Sequence, residues 1–149
     1  DVRQVVNDLR PPALDELGLV EAVRSGLSHL HSQPSSPQIL LEAETVPRQL
    51  PAAIEAASYR IVMEAVTNVV KHAHARHCQI AMQVAETPQQ LQITIDDDGE
   101  GLPKQVRANI GLRSMRERAE ELGGTFQIAA RSNGGTRIIV LLPLPEGRD

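Results

Sequence analysis

Residues 52–75 read AAIEAASYRIVMEAVTNVVKHAHA. The stretch holds neither proline nor glycine and predicts the longest helix of the chain. At 100° per residue Tyr59, Val62, Val66, Val69, Val70 and Ala73 fall on one side, as a core stripe. Glu64, Asn68, Lys71 and His72 fall on the other, at i, i+4, i+7 and i+8. A carboxylate, an amide, an ammonium and an imidazole therefore line one face of a helix whose back is apolar. A plain solvated face would read the same way, so the meaning of these four residues depends on their surroundings.

Downstream the period changes from 3.6 to 2. Cys78, Ile80, Met82 and Val84 alternate with Gln79, Ala81 and Gln83, and after a turn Leu91, Ile93 and Ile95 alternate with Gln92 and Thr94. This predicts a hairpin. Asp96 to Gly101 (DDDGEG) breaks the pattern. Continued to its end, the alternation puts Asp97 on the face of Leu91, Ile93 and Ile95, with Asp96 and Asp98 pointing the other way. A carboxylate aimed into an apolar layer is costly unless a group donates hydrogen bonds to it. Gly99 and Gly101 allow a tight turn and the close approach of something flat. The exocyclic amine of a planar base suits both features; a solvated Asp-Gly turn is the plainer alternative.

Residues 102–110 lack periodicity and predict a flexible loop, with Lys104 and Arg107 able to close over a ligand. Asn109-Ile110-Gly111-Leu112 opens a short amphipathic helix through Met115, Ala119 and Leu122, stopped by Gly123-Gly124. Helix starts suit phosphate, although a single glycine before a helix is also an ordinary turn. Thr125 to Ala130 and Thr136 to Leu142 predict a last hairpin around Asn133-Gly134-Gly135.

Upstream, Asp1 to Leu9 has the spacing of the last turns of a helix begun earlier, and Pro11-Pro12 ends it. Leu14, Leu17 and Leu19 lie in a compact linker. A helix then runs from Leu19 to His31, and Gln38 to Glu44 predicts a strand. The chain begins inside a helical pattern, as an excised piece of a longer protein would. The order of elements predicts an α+β two-layer sandwich, with helices on one face of a mixed sheet.

Composition narrows the function. The 149 residues are one domain's worth, and the 41% apolar content is that of a globular fold. Tyr59 and Phe126 are the only aromatic residues and the net charge is -4. Neither a stacking platform nor a basic footprint for nucleic acid is present. The lone Cys78 sits on the apolar parity of a strand, so it reads as a buried thiol. His72, His74 and His77 lack a Cys or acidic pair at ligand spacing, so no zinc site is expected. No nucleophile elbow, P-loop or H-E-x-x-H motif occurs. Glu64 and Asn68, one turn apart, suit a hard cation completed by phosphates, as magnesium prefers. Lys71 and His72 can meet those phosphates.

Together these pieces resemble the catalytic, ATP-binding domain of sensor histidine kinases. Glu64-x-x-x-Asn68-x-x-Lys71-His72 is similar to their N box, and Asp97-x-Gly99-x-Gly101 to their G1 box. Gly111-Leu112 with Met115-Arg116-Glu117-Arg118-Ala119 and Gly123-Gly124 is similar to the G2 region, and Gly134-Gly135-Thr136 to the closing element. Residues 9–19, LRPPALDELGL, resemble the linker of the nitrate-sensor-like subfamily, whose kinases pair with helix-turn-helix response regulators. The resemblance implies the Bergerat ATP-binding fold (the GHKL superfamily) and the cofactors ATP and Mg²⁺. It implies that Asp97 bonds the adenine amino group and that Thr136 supports it through water. Asn68 is then the Mg²⁺ ligand, and Glu64 is the catalytic residue, near the metal water or in proton transfer. Lys71 and His72 lie near phosphate or ribose, and Gly99, Gly101, Gly111 and Leu112 frame the pocket. Asn109 stands where the family often has glycine.

The same resemblance implies residues 1–10 as the end of a dimerisation helix, 11–18 as linker and 19–149 as the catalytic domain, cytoplasmic in its parent. Its partners are then the kinase's own dimerisation domain and, through it, the regulator. None of the five histidines has the acidic-flanked helical setting of a phosphoacceptor, so this piece is expected not to phosphorylate itself. Two other readings stay open: an ATPase module of the same fold whose nucleotide gates a conformational change, and an interaction domain that has lost nucleotide binding.

Overall fold

The computed structural model describes residues 11–30, 34–100 and 111–145. The helix expected over residues 1–9, the loop over 102–110 with Asn109, and Gly101 lie outside these. In chain order the elements are α1 (Pro12–Leu17), α2 (Leu19–Leu30), β1 (Gln38–Glu42), α3 (Ala52–Asn68), β2 (His77–Glu86), β3 (Gln89–Asp97), α4 (Leu112–Glu121), β4 (Thr125–Ala130) and β5 (Thr136–Pro143). The five strands form one mixed sheet ordered β1-β2-β3-β5-β4, with β1 parallel to β2 and every other pair antiparallel.

Period-2 alternation makes the sheet two-faced. Ile80 and Met82 in β2, Leu91, Ile93 and Ile95 in β3, Ile138, Val140 and Leu142 in β5, and Phe126 in β4 are all buried. Of their partners in the pattern, Gln79, Gln83 and Gln127 are exposed, and Ala81, Gln92 and Thr94 are half-buried. The helices supply the other half of the core through Val23 and Leu27 of α2, Ile61, Val62, Ala65 and Val66 of α3, and Met115 and Ala119 of α4. This is the predicted sandwich. Among the described residues no helix is long and apolar enough to cross a membrane.

The linker holds a helix where the sequence alone predicts only a compact connection. Pro12 occupies the first helical turn, where its missing N–H costs nothing. Gly18, at φ +83°, ends α1 by donating its N–H to the Leu14 carbonyl. Leu14 is buried, so α1 lies on the domain.

Cys78 lies in β2 between Ile39 of β1 and Asp97 of β3, and it is buried. Burial, reinforced by the charges of Asp97, Asp96 and Asp98, pushes its thiol up to about 12. The thiolate is the reactive form. The folded protein is therefore expected to resist a disulfide reagent at pH 8, and one equivalent should react once urea unfolds the chain. Stoichiometric labelling of the folded protein would contradict this burial.

Candidate functional site

The site begins where α3 changes its pitch. The α-helix stops at Asn68, and Val69–Ala73 form a turn of π-helix ended by His74 in the left-handed conformation, φ 52°. A π turn holds an extra residue, so the 100° spacing fails beyond Asn68. Of the polar face expected of the helix, only Asn68 departs. Asn68 is buried among core residues, whereas Glu64, Lys71 and His72 are exposed.

Asp97 is the last residue of β3 and points where the alternation predicts. It pairs with Cys78 on one side and Thr136 on the other, and it is 5% exposed. Its Oδ1 accepts the Gly99 N–H at 2.8 Å. Burial raises its carboxyl above the ordinary carboxylate value, opposed by that N–H, the Arg131 guanidinium and the backbone of Thr136. In front of it lies a small cavity of about 20 Å³, lined by Ala65, Asn68, Val69, Ala73, Asp97, Leu112, Ile128, Thr136 and Ile138. Four of the residues singled out in the sequence thus converge on it: Asn68, Asp97, Leu112 and Thr136. The sequence carries no sign that the aliphatic side chains of Ala65, Val69, Ile128 and Ile138 wall a pocket. Their parity on helix and strand marks them as core, and nothing local distinguishes a core wall from a pocket wall.

The glycines frame this cavity from outside its lining. A Cβ on Gly99 would strike the Ala73 carbonyl, and the neighbouring Glu100 N–H donates to that same oxygen at 2.9 Å. The DDDG turn is thereby pressed onto the π turn. Gly111, φ +86°, opens α4, and a Cβ there would lie 2.6 Å from Glu64 Oε2. The Glu64 carboxylate therefore sits beside the start of α4, where the helix dipole favours an anion. Lys71 and His72 are not part of the lining.

His74 and His77 turn to carboxylates. His74 Nδ1 lies 3.3 Å from Glu100, and His77 Nδ1 lies 2.7 Å from Asp98 Oδ2. Asp98 Oδ1 also accepts the N–H groups of Arg76 and His77, both at 2.9 Å. The hydrogen bond from the His77 ring, then the backbone bonds from His77 and Arg76, hold the Asp98 carboxyl down at about 2. A depressed folded value stabilises above the unfolded carboxylate value of about 4 and is lost as the pH falls through the folded one. In urea titrations the parent is therefore expected to be more stable than Asp98→Asn at pH 5. That advantage should shrink to nothing between about pH 4 and pH 2; a constant difference across the window would contradict the assignment.

A one-sided mixed sheet, a buried carboxylate ending its central strand, and a cavity between that strand and the longest helix define an ATP-binding domain of the histidine kinase kind. Residues 53–146 match the model of the histidine kinase-, DNA gyrase B- and HSP90-like ATPases, and the chain belongs to that family. It is 34% identical to the signal transduction histidine-protein kinase/phosphatase UhpB of Salmonella typhimurium over 95% of this chain and 28% of that protein. It is 30% identical to DegS of Brevibacillus brevis, a protein of the same description, over 97% of this chain and 37% of that one. Among solved structures it resembles the ATP-binding domain of PrrB from Mycobacterium tuberculosis, with TM-score 0.63, 27% identity, and 86% and 92% of the two chains covered. It also resembles the blue-light activated histidine kinase of Erythrobacter litoralis, with TM-score 0.69, 25% identity, and 84% and 40% covered. The chain spans about a quarter to two fifths of the length of the curated relatives it matches.

Proposed function

We propose that this domain binds Mg²⁺-ATP and, in the kinase it belongs to, delivers the γ-phosphoryl group to a histidine of the dimerisation domain, from which it passes to a response regulator. The observation that carries the reading is the buried carboxylate of Asp97, which ends β3 at a cavity shared with Asn68, Leu112 and Thr136. A buried acceptor in an aliphatic slot selects a flat ring that brings its own donor, and the amino group of adenine is one.

Outside the lining, Glu64 lies against Gly111 at the start of α4, and Lys71 and His72 offer exposed cationic or polar groups to a triphosphate. The donor set fits magnesium. Among the described residues no three His, Cys, Asp or Glu side chains converge as a metal cage, and magnesium needs only one or two protein oxygens when phosphates and water complete its shell. Asn68 and Glu64 would hold it, and when bound it would neutralise phosphate charge. The chain's own work is positioning: Asp97 orients the purine, and Glu64, beside the start of α4, acts near the metal water or in proton transfer. The phosphoryl group moves in line, breaking its bond to the β-phosphate and forming one to an imidazole nitrogen, so orientation and charge neutralisation carry the rate.

The linker LRPPALDELGL and the MRERAEELGG run support the nitrate-sensor-like subfamily and a regulator of the helix-turn-helix class. The similarity to the relatives extends over 95–97% of the chain, well outside residues 53–146. We assign residues 11–18 to the interdomain linker and 19–149 to the catalytic domain. Residues 1–10, outside the described residues, are the expected end of the dimerisation helix.

Calorimetric titration with ATP tests the reading. Binding is expected, and it should weaken when EDTA removes Mg²⁺; no heat under either condition would refute it. Incubated with labelled ATP, the 149 residues should yield no acid-labile phosphohistidine. A robust signal would mean that one of the five histidines present accepts the phosphoryl group.

A further inference from the structure

The end of β3 is gripped from the far hairpin. Arg131 follows β4 directly, and its backbone is fixed within the β4–β5 turn. Its N–H donates to the Gly135 carbonyl at 3.0 Å, and its carbonyl accepts the Gly134 N–H at 3.1 Å. Its side chain reaches back to β3, where Nη1 donates to the Asp97 carbonyl oxygen at 2.9 Å in a half-buried bond. On the same carbonyl lies Gly135, so close that a Cβ there would collide with it. The peptide group that follows Asp97 is thus clamped between a guanidinium and a glycine, 34 residues away or more along the chain. A strand end is ordinarily where a backbone frays, and a side chain's direction follows its backbone.

We propose that Arg131 is a positioning residue for nucleotide recognition: by holding the Asp97 carbonyl from the opposite hairpin it fixes the line along which the Asp97 carboxylate enters the cavity. The proposal rests on the reading of Asp97 as the purine-facing acceptor. Arginine suits the task better than lysine, because its planar fork meets an acceptor in a set orientation while an ammonium is a point charge on a flexible stem. A second consequence follows from its charge. The groups that bear on the Asp97 carboxyl are the charges of Asp98 in the same turn and Arg131 from the β4–β5 turn and the backbone N–H groups of Gly99 and Thr136, while the Cys78 thiol neighbours it on β2 and Asn68 lines the same cavity. Arg131 is the cation that opposes burial and the Asp98 charge. Without it, Asp97 holds its proton to a higher pH, and a protonated carboxyl is a poorer acceptor for an amino group.

The test uses the 149-residue chain with Arg131→Gln and Arg131→Lys. ATP affinity is measured by calorimetry from pH 5 to pH 8, and the Asp97 carboxyl is titrated by carbon NMR without nucleotide. Arg131→Gln is expected to weaken ATP binding about two- to tenfold at pH 7, the worth of one ordinary hydrogen bond. The pH at which affinity is half-lost, and the Asp97 titration midpoint, should both move upward. Arg131→Lys should return both midpoints toward the parent's while recovering only part of the affinity. Loss of affinity without any movement of the midpoints in Arg131→Gln would mean general damage and overturn the proposal, as would unchanged affinity. If Arg131→Gln fails to fold, Arg131→Lys decides: full parental affinity overturns the oriented grip. Asp97→Ala separates the two levels. ATP affinity unchanged in Asp97→Ala overturns the purine reading together with this one, whereas loss there with parental behaviour in Arg131→Gln overturns the role of Arg131 alone.

Discussion

Replacing Asp97 by asparagine is expected to cost this domain about ten- to a hundredfold in ATP affinity, with no loss of stability at neutral pH. The two halves of this result have separate causes. Oδ1 of Asp97 already accepts the Gly99 N–H, so recognition of an amino group falls to Oδ2. Asparagine has one acceptor oxygen, not two. If that oxygen keeps the Gly99 bond, an NH₂ group confronts the amine of the base; if the amide flips, the NH₂ confronts the Gly99 N–H. Either way a donor meets a donor inside a buried slot, and hydrogen bonds to a charged group are each worth about 1.5–3 kcal/mol. Stability runs the other way. Burial raises the folded Asp97 value above its unfolded one, so the ionised carboxylate opposes folding above the folded value, and the opposition vanishes below the unfolded value. A neutral amide removes that opposition while keeping the turn. The unfolding midpoint of Asp97→Asn at pH 7 should therefore equal or exceed the parent's, and calorimetry with ATP should give the affinity. Parental affinity in this variant would remove Asp97 from the site.

The second large effect is expected at Gly135, and here stability is what fails. Gly135 is buried at φ +91°, and a Cβ would run into the Asp97 carbonyl oxygen. Both partners are backbone, so neither can swing aside as a side chain would. Gly135→Ala should destabilise the domain by about 2–4 kcal/mol, combining a left-handed residue with a steric conflict. For a domain of this size that lowers the thermal midpoint by roughly 10 °C. Gly134→Ala is the control. Its φ is +98°, yet the nearest atom a Cβ would meet is the Gly99 carbonyl oxygen at 4.0 Å. That variant carries the backbone strain alone, about 1–2 kcal/mol. Equal midpoints for the two variants would mean that the turn does not press on β3. Because the displaced carbonyl belongs to Asp97, ATP affinity should fall in Gly135→Ala and hold in Gly134→Ala.

These two positions illustrate what is readable locally. That Asp97 turns inward follows from counting along one strand, because the side-chain period of two is a property of the extended backbone and needs no partner. The same holds for the core stripe of α3 through Val62 and Val66, and for Gly111 at the start of α4. By contrast, the turn of π-helix at Val69–Ala73 could not be read from its five residues. It forms where the DDDG turn lands on the Ala73 carbonyl, a contact made by residues more than twenty positions later. Asn68, the last residue of the α-helical part, is buried, whereas Lys71 and His72 within the π turn are exposed. The helix in the linker likewise depends on Leu14 finding the core, since six residues have no helical stability of their own.

The amino-acid sequence by itself determined the alternation of layers, the inward carboxylate and the family to which the chain belongs, because each is written in spacings along one element. The tertiary structure alone decided the strand order β1-β2-β3-β5-β4, the convergence of Asn68, Leu112 and Thr136 on Asp97, and the grip of Arg131 and Gly135 on its carbonyl. Those depend on which segments meet once the apolar faces close on each other, and burial is a non-directional force that selects faces rather than partners.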